Sequence, residues 1–203
     1  MNAVEAYSAL LGLGVPVVGT ADAAALLRQS TVAAAKTLSR LARARLVTHV
    51  RHGTWWLRGA VDPYRLPPYL TAPLDSYLSL HTALHLRGLV EQVPHVYYVV
   101  SLARTQRIAT SVGTFSIHHV APEVFGGYEE MPSGVRLATA EKALFDVAYL
   151  SAGRSRLFTS LPELSLPRGF RHSELRRWLS RVPSKRGRTL TAKKLDAWVE
   201  SSS

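Results

Sequence analysis

The run from Ser30 to Arg43, Ser-Thr-Val-Ala-Ala-Ala-Lys-Thr-Leu-Ser-Arg-Leu-Ala-Arg, constrains this chain more than any other segment. Ser30 is suited to accept a hydrogen bond from the orphan amides that open a helix. At 3.6 residues per turn, Val32, Ala35, Leu38, Leu41 and Ala42 gather on one side of that helix. Ala33, Lys36, Thr37, Arg40 and Arg43 gather on the other. One side is therefore expected to be core, and the other is small, polar and cationic. Upstream lie a short helix over residues 3–11, broken by Gly12, Gly14 and Pro16, and a second helix running from a Thr20 cap to Arg28. Gln29 and Ser30 form the turn between the second helix and the third. Downstream, residues 46–51 and 54–58 read as two strands around His52-Gly53. That order of parts predicts a winged helix-turn-helix over residues 15–60, within a first domain of residues 1–60.

A helix enters a major groove only if its leading turns carry small or polar side chains and its flank supplies cations for the phosphates. On this basis Ser30, Thr31, Ala33, Lys36, Thr37, Arg40 and Arg43 are the expected DNA-binding residues, with Arg51 and His52 added by the tip of the wing. The competing expectation is an ordinary three-helix packing with a solvated basic face. Winged helices also bind proteins, so the fold alone does not settle the function. If about four of the seven basic residues of the first domain touch phosphates, log K falls with log salt at a slope of about −3.6. Such a footprint is modest, so two copies on an inverted repeat are expected, as a dimer or by cooperative loading.

The charge distribution points the same way. Residues 1–60 carry seven basic and two acidic side chains, residues 61–152 six and eight, and residues 153–203 twelve and four. Both ends are cationic, a pattern suited to a polyanion. The absence of cysteine excludes disulfides and cysteine-based metal or nucleophile chemistry. No apolar run approaches the ~20 residues that span a bilayer, so no membrane contact and a cytoplasmic location are expected.

Four prolines, at 63, 67, 68 and 73, mark residues 61–73 as a linker. Beyond it, residues 74–203 read as a small mixed α+β domain with a helical, basic C-terminus, which makes the whole chain α+β. Its expected parts are a helix over 75–87, strands over 95–102, 107–112, 114–120 and 135–138, a helix over 140–150 capped by Thr139, and two late helices over 173–181 and 191–199. His81 and His85 have the i, i+4 spacing that can chelate zinc, but neither a glutamate base nor a third ligand accompanies them, so no metal and no cofactor are expected. His118 and His119, adjacent in a strand, should face opposite ways. Glu141, Lys142 and Asp146 share a helix, within which Lys142 and Asp146 read first as an exposed i, i+4 pair worth a few tenths of a kcal/mol. They are also the best available candidates for a catalytic site, although no phosphate-binding glycine loop accompanies them. The nine cations Arg171, Arg176, Arg177, Arg181, Lys185, Arg186, Arg188, Lys193 and Lys194 suit DNA, an acidic protein surface or solvent alike.

The segment from Thr20 to Leu57, the run from Tyr77 to Leu89, the strands Val96-Tyr97-Tyr98-Val99-Val100 and Phe115-Ser116-Ile117-His118-His119-Val120, and Thr139-Ala140-Glu141-Lys142-Ala143-Leu144-Phe145-Asp146 together resemble the AbiEi antitoxin family of bacterial toxin-antitoxin and abortive-infection systems. The resemblance covers roughly residues 5–150 and fits the basic C-terminus least well. It implies an N-terminal winged helix that binds inverted repeats in its own promoter and represses it. It further implies a C-terminal part that counteracts a cognate toxin of nucleotidyltransferase fold, by antagonism, by direct binding, or by phosphorylation as an atypical serine/threonine kinase.

Overall fold

The computed structural model describes residues 2–152 and 163–200. The first ten residues of the arginine- and proline-rich stretch that starts at Gly153 lie outside them, as do the terminal serines. The described chain is mixed α+β, with eight α-helices and two β-sheets, and its contacts divide into two units.

The first unit comprises residues 1–63 together with 109–113. Its elements run α1 (Ala3–Leu11), β1 (Val17–Gly19), α2 (Thr20–Leu27), α3 (Thr31–Arg43), β2 (Thr48–Arg51) and β3 (Thr54–Trp56). Asn2 and Glu5 form a reciprocal capping box on α1, each side chain holding the other's amide. The strands form an antiparallel sheet ordered β1-β3-β2, in which Val17 faces Trp56 and Gly19 faces Thr54. Leu10, Val18, Ala23, Leu38, Leu41, Val47, Trp55 and Leu57 make one buried cluster, so all three helices and the sheet share a core. Two side-chain bonds tie its distant parts. Tyr7 donates its hydroxyl to the Leu57 carbonyl at 3.1 Å, and Trp55 donates its indole N–H to Thr20 Oγ1 at 3.0 Å.

That second bond corrects the expected cap of α2. Gly19 is the N-cap residue, without a side-chain bond, and Thr20 is already helical with its hydroxyl turned to Trp55. Its own amide is held by the Gly53 carbonyl at 2.9 Å, so the hairpin tip supplies the acceptor that a capping side chain usually provides.

The second unit comprises residues 64–108 and 114–203. The proline-rich segment expected as a linker contains structure. Pro63–Arg65 is a 3-10 turn and α4 (Pro67–Thr71) follows, with Leu66, Pro67, Leu70 and Thr71 buried. Proline suits the first turn of a helix, where its missing N–H costs nothing. Beyond it come β4 (Ser76–Leu78), α5 (Leu80–Leu86), β5 (Tyr97–Ser101), β6 (Gln106–Thr110), β7 (Gly113–His119), β8 (Tyr128–Glu130), β9 (Arg136–Ala138), α6 (Ala140–Ala152), α7 (His172–Ser180) and α8 (Lys185–Glu200). The six strands form one sheet ordered β6-β7-β5-β4-β9-β8. It is mixed: β4 pairs antiparallel with β5 and parallel with β9, and β5 pairs parallel with β7.

The helix expected over 75–87 is in fact a strand followed by a helix. Ser76, Tyr77 and Leu78 fill the sheet between β5 and β9, fully buried, and the chain bends at Leu80, whose φ is +54°. An apolar run cannot by its period alone distinguish a buried strand from a helix face. The bend lets Tyr77 and Ser79 reach toward α6 while Leu80, Ala83 and Leu84 pack in the core.

Candidate nucleic-acid interface

α3 lies in a different rotational phase from the one its sequence suggested. Ala34, Thr37, Leu38 and Leu41 are buried, whereas Val32 is 67% exposed. The two leucines decide the matter, because they bring the most apolar area to the core. Val32 precedes Leu41 by nine residues, about two and a half turns, and so faces the opposite way. The outward stripe therefore runs Val32, Ala35, Lys36, Ser39, Arg40, Arg43, with the lysine and both arginines exposed.

Each expected contact residue has a definite place. Ser30 caps α3, accepting from the Ala33 amide at 3.2 Å, and stays exposed beside Thr31. Ala33 is half-buried at the margin of the stripe. Thr37 belongs to the core side: it is 4% exposed, donates its hydroxyl to Gln29 Oε1 at 3.2 Å and accepts from Arg40 Nη2 at 3.4 Å. It is thus a brace that ties Arg40 to the turn between α2 and α3, and no longer a contact residue. The turn itself closes with Arg28 in the left-handed region, φ +53°. Gln29, Val32, Lys36, Arg40 and Arg43 surround a shallow hollow on this outer face.

In the hairpin, His52 is exposed at a turn closed by Gly53 at φ +74°, a conformation that glycine adopts without strain. Arg51 is half-buried, at a bulge in the β2–β3 register, and its Nε has no hydrogen-bond partner among the described residues. A polar nitrogen in that position has its bonding capacity still to satisfy.

The three catalytic candidates prove to be interior groups. Lys142 and Asp146 are both completely buried, and the ammonium donates to Asp146 Oδ1. The expectation of an exposed pair is corrected accordingly. α6 is enclosed on all sides, packing against α5, α7 and α8, which its short sequence pattern did not reveal. Asp146 Oδ2 accepts from Tyr77 Oη at 3.0 Å and from Ser79 Oγ at 2.7 Å. The ammonium also faces the rings of Trp178 at 4.7 Å, Phe145 at 5.0 Å and Tyr77 at 5.6 Å. Burial pushes the Lys142 ammonium down and the Asp146 carboxyl up, while their mutual attraction opposes both shifts. Burial, and then the Asp146 charge, raise the Tyr77 phenol well above its usual value. Glu141 is 5% exposed. Burial alone would raise its pKa, but hydrogen bonds outweigh that effect and lower it, among them the Arg171 amide at 3.0 Å and the Arg171 guanidinium at 3.4 Å.

The histidine pairs separate as well. His85 Nδ1 lies 3.3 Å from the Val90 carbonyl and His81 packs at 5.4 Å on the Tyr98 ring. His118 is buried, whereas His119 is exposed with Nδ1 at 3.1 Å from the Leu102 carbonyl. No cluster of three metal-ligating side chains occurs among the described residues. Of the C-terminal cations, Arg171 and Arg177 are paired with Glu141 and Glu174, Arg181 and Lys194 lie over Trp178 and Trp198, and Arg188 donates to the Val182 carbonyl. All nine but the half-buried Lys194 are exposed, and Arg176, Lys185, Arg186 and Lys193 are among them.

The sequence matches no family model and no curated protein at a significant level. Among the described residues, no helix is long and apolar enough to cross a membrane.

Proposed function

We propose that the first unit is a winged helix-turn-helix that binds double-stranded DNA, and that the chain is an AbiEi-type antitoxin and cytoplasmic autorepressor of its own operon. The observation that carries the DNA reading is the exposed stripe of α3, where Lys36, Arg40 and Arg43 flank small or short side chains behind a capped N-terminus. The order helix, strand, helix, helix, hairpin, with a β1-β3-β2 sheet, supports it. α3 is the recognition helix, with Ser30, Thr31, Ala33, Val32, Lys36, Arg40 and Arg43 toward the groove, and Arg51 and His52 are the wing contacts. Two copies act on an inverted repeat, since one such helix offers few phosphate contacts.

The antitoxin role rests on the sequence resemblance. The second unit is compatible with it, being a domain with its own six-stranded sheet and core rather than a short dimerisation tail. Counteraction of a nucleotidyltransferase-fold toxin is assigned to this unit. A kinase centred on Glu141, Lys142 and Asp146 gains no support, because the lysine and aspartate have no exposed surface and already satisfy each other.

Two experiments test the proposal. A gel shift of the full chain on DNA from its own upstream region should give a salt-sensitive complex that Lys36→Ala and Arg40→Ala weaken. A complex indifferent to salt, or none, rules out the DNA reading. Co-expression with the adjacent gene should rescue growth if that gene encodes the toxin, and toxicity unaffected by the full chain rules out the antitoxin role.

A further inference from the structure

We propose that a hollow in the second unit binds a small planar anion, an aromatic ring carrying one acidic substituent. The hollow has a volume of about 330 Å³, at the small end of the range for small-molecule sites. That size suits one ring system with a single substituent, and is too small for a dinucleotide. Its floor comes from parallel neighbours in the sheet, Tyr98 on β5 and Ser116 and His118 on β7. Its sides come from His81 on α5 and the start of β6.

The walls favour a flat ligand. Tyr98 lies nearly parallel to His118, with ring centroids 6.1 Å apart and planes 26° from one another, and His81 leans on Tyr98 from 5.4 Å. Flat faces of this kind bind other rings by offset stacking. At the base, Ser116 Oγ and His118 Nε2 are 2.9 Å apart, both residues being buried. Buried hydroxyl and imidazole groups at the floor of an apolar hollow are the few fixed polar points by which such sites orient a ligand.

The charge of the lining selects the sign. Arg107 is its one arginine, lysine, aspartate or glutamate among the described residues, and it is exposed at the rim. Burial keeps the His118 imidazole neutral, with its pKa lowered to about 4, and lowers that of His81 as well. A ligand with its ring against Tyr98 and a carboxylate or phosphate toward Arg107 would match both ends of the hollow, whereas a cation would meet no carboxylate in this lining and would face the like charge of Arg107. Thr105, whose hydroxyl accepts the His119 amide at 3.0 Å, also lines the hollow beside Arg107.

The test uses the full chain with benzoate, phenyl phosphate and the neutral benzamide as probes, titrated while the imidazole resonances of His81 and His118 are followed by NMR. At least one of the two acids should shift both histidines saturably, and benzamide should bind at least tenfold more weakly, the scale of one charge-assisted hydrogen bond. The stronger acid identifies the substituent as carboxylate or phosphate. Arg107→Gln should weaken the acid by about tenfold or more, and Val93→Trp, at a rim position 66% exposed, should block it without unfolding the chain. No shift with either acid, equal binding of benzamide, or an affinity unchanged by either substitution overturns the proposal.

Discussion

Lys142→Met removes the cation from the interior of the second unit, and its cost follows from what it leaves behind. Asp146, 0% exposed, would keep only the neutral donors Tyr77 Oη and Ser79 Oγ. Breaking a buried pair from one side costs about 3–5 kcal/mol, and two remaining hydrogen bonds place this case near 3. Asp146→Ala should cost more, near 5 kcal/mol, because the buried ammonium would lose its carboxylate and keep only ring faces and neutral hydroxyls around it. Replacing both, as Lys142→Met with Asp146→Leu, should cost less than the sum of the two single changes by about 1–3 kcal/mol, since no buried charge is left alone. Hydrogen exchange of the α6 amides under native conditions gives the opening free energy of this unit without assuming that the whole chain unfolds in one step. A Lys142→Met cost below about 1 kcal/mol, or strict additivity in the double variant, would refute the claim that the pair is buried and mutually satisfied.

Other outcomes follow from the same geometry. Gly127→Ala should lower the melting temperature by several degrees, because a Cβ there would stand 2.5 Å from Trp178 and 2.9 Å from Lys142 at φ +73°; an unchanged melting curve would contradict that packing. Lys36→Ala and Arg40→Ala should each reduce the salt slope of DNA binding by about 0.9, measured by fluorescence anisotropy, if each contacts one phosphate. Val32→Asp should alter stability by less than about 0.5 kcal/mol yet weaken DNA binding, whereas Leu38→Ala should cost about 2–5 kcal/mol; a Val32→Asp variant destabilised as much as Leu38→Ala in denaturant midpoints would place the helix in the other phase, with both residues inside. For His118 the unfolded imidazole protonates near 6.5 and the folded one only near 4, so the unfolded state binds more protons between these values. Stability should therefore be full above pH 6.5 and fall as the pH drops toward 4, by up to about 3 kcal/mol, and His118→Gln should flatten that slope in urea midpoints taken across the range.

Local chemistry was enough to find most helices of the first unit. The α3 limits, Thr31–Arg43, follow from a serine cap and a leucine period, and both are written in neighbouring residues. Its rotational phase was not, because Val32 and Ala34 are both apolar and only the partners of Leu38 and Leu41 decide which turns inward. The same limit explains the short strand at Ser76–Leu78, whose buried residues fit a helix period as well as a sheet, and β8, three residues whose pairing with β9 is invisible before the sheet assembles. Net charge along the chain marked the cationic ends directly, since charge is a property of composition. Whether a charge faces water is not. Lys142 and Asp146 have the spacing of an ordinary surface pair, and it took α5, α7, α8 and the Tyr77 strand closing around them to make them the polar centre of a core. The Tyr98–His118 hollow likewise exists only where β5, β6, β7 and α5 meet, because its lining is gathered from residues 81 to 118 by the sheet and by no periodicity of the sequence.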